Sequence, residues 1–132
     1  MSYGASAALQ AAIFARLAAE ERLAGMPIVD ALPSGGGVGT FVLIGPEEAI
    51  DASDKSGDGA EHRFLVSVIS DADGFLEAKT AAAVISDSLV DAKPVLSRGR
   101  VAGLWFQKAV AKRLDDGEVR RIDLTFRARI EI

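Results

Sequence analysis

Two short segments of this chain hold residue types capable of site chemistry. The first is Ser34-Gly-Gly-Gly-Val-Gly39, a glycine run of the kind that cradles phosphate. A phosphate cradle needs a strand before the glycines and a helix after them, so that a helix N-terminus faces the anion. Here residues 40–44 are apolar and strand-like, and no Gly-Lys-Ser/Thr occurs. The segment reads as a hairpin turn. The second is Asp54-Lys-Ser-Gly-Asp-Gly59. Asp54, Ser56 and Asp58 alternate as calcium-loop ligands do, and Gly59 stands where such a loop turns sharply. The twelfth position calls for a bidentate Glu but holds Leu65, and a strand pattern follows where a helix belongs. Asp, Ser and Gly here are ordinary loop residues. His62 is the only histidine, which excludes a multi-histidine metal site within one chain. As a general base it would need Ser34 or Ser53 as nucleophile, yet no Gly-x-Ser-x-Gly elbow exists. A surface position at the start of a strand is expected for it. Glu47 and Glu48 are adjacent, so in extended chain they point apart, a poor start for paired-carboxylate catalysis. The chain has no cysteine, which removes disulfides, thiolate metal sites and a catalytic thiol. The expectation is a protein with no catalytic residue, no cofactor and no metal site.

The elements that must position any function are legible from periodicity. The 132 residues suit one domain, 1–132, and 49% hydrophobic content supports a core. The first positive side chain is Arg16, so no basic start precedes an apolar run, and neither a secretory signal nor a membrane span is expected. Residues 5–24 are Ala-rich, with Leu9, Ile13 and Leu17 at four-residue steps. They predict a helix capped by Ser6 and stopped by Gly25 and Pro27. Short strands are expected at 28–32 and 40–44, the second ended by Pro46. Residues 47–60 read as a long exposed loop. A strand follows over 63–70, with Phe64, Val66 and Val68 on one face and Leu65 and Ile69 on the other. Asp71 and Asp73 precede a helix over 75–90, buried through Phe75, Ala78, Ala82, Ile85 and Leu89. A further short strand near Val95 is allowed by the pattern.

The last third reads as one long β-hairpin. The run 100–114 turns at Asp115-Asp116-Gly117 and returns over 118–132. In the return strand Ile122, Leu124, Phe126, Ala128, Ile130 and Ile132 alternate with Arg121, Asp123, Thr125, Arg127, Arg129 and Glu131, giving one buried face and one charged face. Residues 101–114 would extend about 46 Å at about 3.3 Å per residue, long for so small a core. Part of the ribbon is therefore expected to reach another subunit. The whole order suggests an α+β domain, with two helices packed on one face of a mainly antiparallel β-sheet.

Charge and aromatics in this hairpin bear on partners. Nine basic residues (Arg98, Arg100, Lys108, Lys112, Arg113, Arg120, Arg121, Arg127 and Arg129) outnumber the acidic ones there, while the chain as a whole carries −4. A basic hairpin and an acidic remainder are complementary, which suits head-to-tail stacking of copies. Trp105 and Phe106 are neighbours on one strand, so at most one is expected in the core. The exposed one, beside Lys108, Lys112 and Arg113, is read as a protein–protein anchor; the alternative is a single-stranded nucleic-acid binding module that stacks bases. The acidic total opposes a free-standing DNA binder.

Several stretches together resemble a known family. They are SYGASAALQAAIFARL, DALPSGGG, the segment from Phe41 through Gly45-Pro46-Glu47-Glu48 and Asp54-Lys55 to Lys79, and the close with Arg121-Ile122-Asp123-Leu124-Thr125-Phe126. The chain resembles the small tail-completion proteins of tailed phages and is most similar to those of gene transfer agents, phage-like particles of alphaproteobacteria. The resemblance implies a tail terminator: a homohexameric ring that caps the tail tube, stops its polymerisation and offers a docking surface to the head connector. It implies no catalytic residues. Implied partners are other copies of the chain, the tail tube protein and the head connector or stopper, with DNA only as cargo passing through the lumen. Implied locations are the bacterial cytoplasm during assembly and then the particle's tail. A head–tail connector or stopper is the alternative within assembly proteins. Expected contact residues are Trp105, Lys108, Lys112 and Arg113 on the hairpin, and Glu47, Glu48, Asp54 and Lys55 in the loop.

Overall fold

The computed structural model describes residues 3–32, 39–55, 57–114 and 117–132. Residues 33–38, which hold Ser34 and the first three glycines of the run, the Ser56 of the acidic loop and the Asp115-Asp116 turn lie outside the described residues. The elements follow the order α1 (Ser6–Ala18), β1 (Ile28–Val29), β2 (Thr40–Asp51), β3 (Gly59–Ser70), α2 (Leu76–Leu89), β4 (Arg100–Leu114) and β5 (Val119–Glu131), with a 3-10 turn at Glu21–Leu23. The five strands lie in the order β1-β2-β3-β5-β4, all antiparallel except the β1–β2 pair. This is the α+β sheet with a C-terminal hairpin that the pattern predicts.

Both helices feed one core. Leu9, Ile13 and Leu17 of α1 and Ala78, Ala82, Ile85 and Leu89 of α2 are buried with Val66, Phe126 and Ile130 of the sheet. The β5 alternation holds from Ile122 to Ile130, whereas Ile132 lies past the last pair and is exposed. Phe126 is the largest fully buried side chain. Its ring stacks on Phe64 at 5.6 Å and meets Phe106 edge-on at 5.9 Å. The helix-free face has its own smaller apolar cluster, Phe41, Leu43 and Ile69. Residues 41–44 are therefore buried from both sides, which explains their unbroken apolar run.

Several boundaries differ from expectation. The first helix stops at Ala18, because the Glu20 carboxylate accepts from Arg22 N (3.3 Å) and starts a separate turn that buries Leu23. Ser6 is not its cap: the Ser6 hydroxyl donates to Glu47 Oε1 at 2.7 Å, a tertiary bond that takes the side chain away from the helix end. The strand expected over 28–32 is two residues long. Among the described residues no strand forms near Val95, which is exposed. Asp71 Oδ2 accepts from Gly39 N (3.2 Å) across the β2–β3 end, and α2 begins without a side-chain cap.

The largest correction concerns the loop expected at 47–60. Pro46 does not end the strand. Gly45 and Pro46 form a bulge opposite Leu65, with Gly45 at φ +106°, and pairing resumes at Glu47↔Phe64. A proline fits there because a bulge does not need its missing N–H. The strand then continues to Asp51, and β3 begins at Gly59, so the connection shrinks to 52–58. Within it Asp54 N bonds Gly57 O at 3.0 Å, closing a tight turn.

Candidate assembly surface

The β-ladder fixes which side chains share a face. Glu48↔Arg63, Arg63↔Arg127 and Arg127↔Trp105 lie on one row, so these four side chains emerge together on the helix-free face. Two rows on, Ser67↔Asp123↔Val110 do the same. Between these rows opens a groove of about 530 Å³ lined by Glu48, Arg63, Leu65, Lys108, Lys112 and Asp123.

Its charges are largely satisfied within the chain. Asp123 Oδ1 accepts from Ser67 Oγ (2.6 Å) and Arg121 Nε (2.7 Å), and Lys112 Nζ lies 3.4 Å from Oδ2. Burial raises the Asp123 pKa, but Ser67, Arg121 and Lys112 outweigh it and hold the carboxyl below its usual range. Arg63 bonds Glu61 at 2.9 Å and reaches Glu48 at 3.6 Å; Arg127 meets Glu61 at 3.3 Å, and Arg100 bonds Glu131 at 2.6 Å. The surplus positive charge of the hairpin is thus mostly spent on its own neighbours. Lys108 and Arg113 are the hairpin lysine and arginine left without an ion pair or hydrogen bond among the described residues.

Trp105 lies flat on this face. The Arg127 guanidinium sits 4.9 Å from its ring centroid, and the indole covers Gly103, where any Cβ would overlap it. Phe106 points to the helix side against Phe126. At most one of the two aromatics is expected in the core, and neither is fully buried. Trp105 is 41% and Phe106 43% exposed, because the helix-side core takes in β4 only at Val101 and Leu104 and leaves the strand bare beyond them.

The expected contact residues do not form one site. Glu48, Lys108 and Lys112 share the groove. Arg113 points to the other face, with its guanidinium 5.2 Å from the Phe75 ring. Glu47 contributes to the groove wall, but its carboxylate turns to the helix side, held by Ser6 and 3.6 Å from His62 Nδ1. Asp54 and Lys55 sit at the β2–β3 turn, where Asp54 approaches Arg129 at 3.9 Å. His62 is fully buried, not at the surface. The alternation that puts Phe64, Val66 and Val68 inward puts His62 inward too once β3 starts at Gly59, and Tyr3 lies over its ring at 6.4 Å. Sequence reasoning missed Arg63, Asp123 and Arg127 as members of the surface. Strand alternation places each on the charged side, but only register makes them neighbours.

This arrangement is suited to contact between surfaces. The groove is open, and most of its ionised groups pair with one another. Among the described residues no group of three metal-ligating side chains gathers, and no helix is long and apolar enough to cross a membrane.

Comparison with known proteins agrees. The family model described as "Tail completion protein gp17" matches residues 11–131. A chain from a solved structure titled "Virion of native gene transfer agent (GTA) particle" is 53% identical, over 99% of this chain and 100% of that one, with a TM-score of 0.92. No curated protein matches significantly. The chain belongs to the tail completion protein gp17 family.

Proposed function

We propose that this protein is a tail terminator: a ring of identical copies, six by family resemblance, that caps a tail tube, halts its growth and receives the head connector. The observation that carries the reading is the full-length 53% identity with a chain of a gene transfer agent particle. The geometry supports it in two ways. Pairing of Gly59 with Glu131 and of Ser70 with Arg120 sets the β2–β3 turn and the hairpin tip at opposite ends of β3. Its 12 residues extend roughly 37 Å at about 3.4 Å per residue. A terminator needs two unlike faces, one for the tube and one for the head, and these separated ends supply them if strands run along the ring axis. Second, a ring needs two different patches on each copy that meet with a closing rotation. The bare β4 and the acid-bearing end of β2 lie at opposite edges of the sheet.

On this reading the protein performs no catalysis and holds no cofactor. It works in the bacterial cytoplasm while particles assemble and remains in the tail, where DNA passes through its lumen. Negative-stain microscopy of the purified protein, followed by its addition to polymerising tube protein, tests this. Rings that fix tube length support termination. Rings that leave tube length unchanged yet bind the head connector indicate a stopper. A monomer at every concentration, with salt-sensitive affinity for single-stranded DNA, refutes the assembly reading.

A further inference from the structure

The sheet is open at both edges, and the edges differ. At one end β4 runs for 15 residues with only β5 beside it. Its outer edge receives Asp91 N at Leu104 O (3.1 Å), and beyond that point no described residue outside β5 bonds its backbone. From Trp105 to Arg113 every residue is exposed, with Val110 at 45% alongside the two aromatics. A long, bare, partly apolar edge strand is a template for pairing with another chain. At the other end β1 covers β2 only at Val42 and Leu43. Among the described residues the rest of β2, from Ile44 to Asp51, has β3 on one side and no strand on the other.

We propose that neighbouring copies join edge to edge, β4 of one copy pairing with the post-bulge half of β2 in the next, so that one sheet continues from copy to copy. This rests on the ring reading above and names the contact that closes it. Three features favour a second copy of this chain as the occupant. The charges complement each other: Lys108 and Lys112 line the helix-free side of β4, and Glu48 emerges on that same side of β2. The directions agree: the run β2-β3-β5-β4 holds four strands, each antiparallel to the next. An even number returns β4 opposed to β2, so a rotation about an axis near the strand direction brings them together antiparallel, the stronger pairing. The ladder sets Glu48 level with Trp105, and the strand tilt of a closed sheet with its helices outside shifts it along β4 toward Lys108 to Lys112. The contact is heterologous, because the patches differ, and such a contact makes a ring when its rotation closes. The bulge at Gly45-Pro46 serves this role as well. It lets β2 extend past a proline that would otherwise end it, and so creates the second edge.

The natural absence of cysteine makes the test direct. Glu48→Cys is combined in turn with Lys108→Cys, Val110→Cys and Lys112→Cys, all on exposed positions of one sheet face. Fold is checked by circular dichroism, and rings are imaged in reducing buffer before oxidation. The expected result is a ladder of covalent multimers on a denaturing gel for one of the three pairs, ending at the subunit count of the ring, with each single-cysteine variant staying monomeric. Rings that form normally while all three pairs stay monomeric on the gel overturn the edge contact and leave the ring reading standing. A single-cysteine variant that dimerises with itself shows like-to-like pairing and also overturns it. Absence of both rings and ladder refutes the contact together with the ring.

Discussion

Replacing Asp123 with Asn removes the charge at the centre of the helix-free face. The carboxylate accepts from Ser67 and Arg121 at 2.6 and 2.7 Å and faces Lys112 at 3.4 Å. Its side chain is only 14% exposed, so solvent screens these contacts weakly. A hydrogen bond to a charged group contributes about 1.5–3 kcal/mol, and Asn retains one weaker neutral acceptor, so the expected loss is about 2 kcal/mol. The pH dependence follows from the direction of the pKa. The folded carboxyl is depressed, so its contribution is fully present above the unfolded value of about 3.9 and is lost as pH falls through the lower folded value. Wild type and Asp123→Asn should therefore differ most at neutral pH and converge as pH is lowered from about 4. Urea unfolding followed through the single tryptophan measures this, at one protein concentration low enough to hold association fixed. Equal stabilities at neutral pH would refute the reasoning. So would a difference that stays constant down through the acid range, because the loss would then not come from the charge.

Three further outcomes are expected. Trp105→Ala should weaken ring assembly more than any substitution in the β2–β3 turn; Gly103→Ala should do the same in milder form by lifting the indole off Arg127, which forfeits about 0.5–1 kcal/mol and shifts the fluorescence emission. Normal rings with Ala at 105 would show that the indole is not an anchor. Phe126→Ala should cost about 3–5 kcal/mol in urea unfolding, since it empties a site between Phe64 and Phe106; a loss under about 1 kcal/mol would mean that the core closes over the gap. Replacing the turn from Lys55 to Gly59 with Gly-Ser residues should leave most of the thermal stability yet lower the yield of joined particles, and undiminished yield would remove the turn from the contact surface.

Much of the architecture is written in local pattern. The period-four stripe of Leu9, Ile13 and Leu17 and the period-two alternation from Ile122 to Ile130 each face a core that any viable fold must supply, so element type and inward face follow from the residues alone. The hairpin and the α+β class are legible for the same reason, and the family resemblance lies along nearly the whole chain. Pro46 misled, because its local meaning is termination, and only the partner strand β3 reveals that a bulge absorbs it. His62 was misplaced by the same error, since its facing depends on where β3 begins. The groove was out of reach for a different cause. Glu48, Arg63, Arg127 and Trp105 are dispersed along the chain and become neighbours through strand register, a long-range property that no local spacing encodes. Composition gave the hairpin its positive surplus, but register matched most of those charges to acids inside the same subunit. What remains for a neighbour is β4 from Trp105 onward, bare because the core under the helices takes in that strand only at Val101 and Leu104.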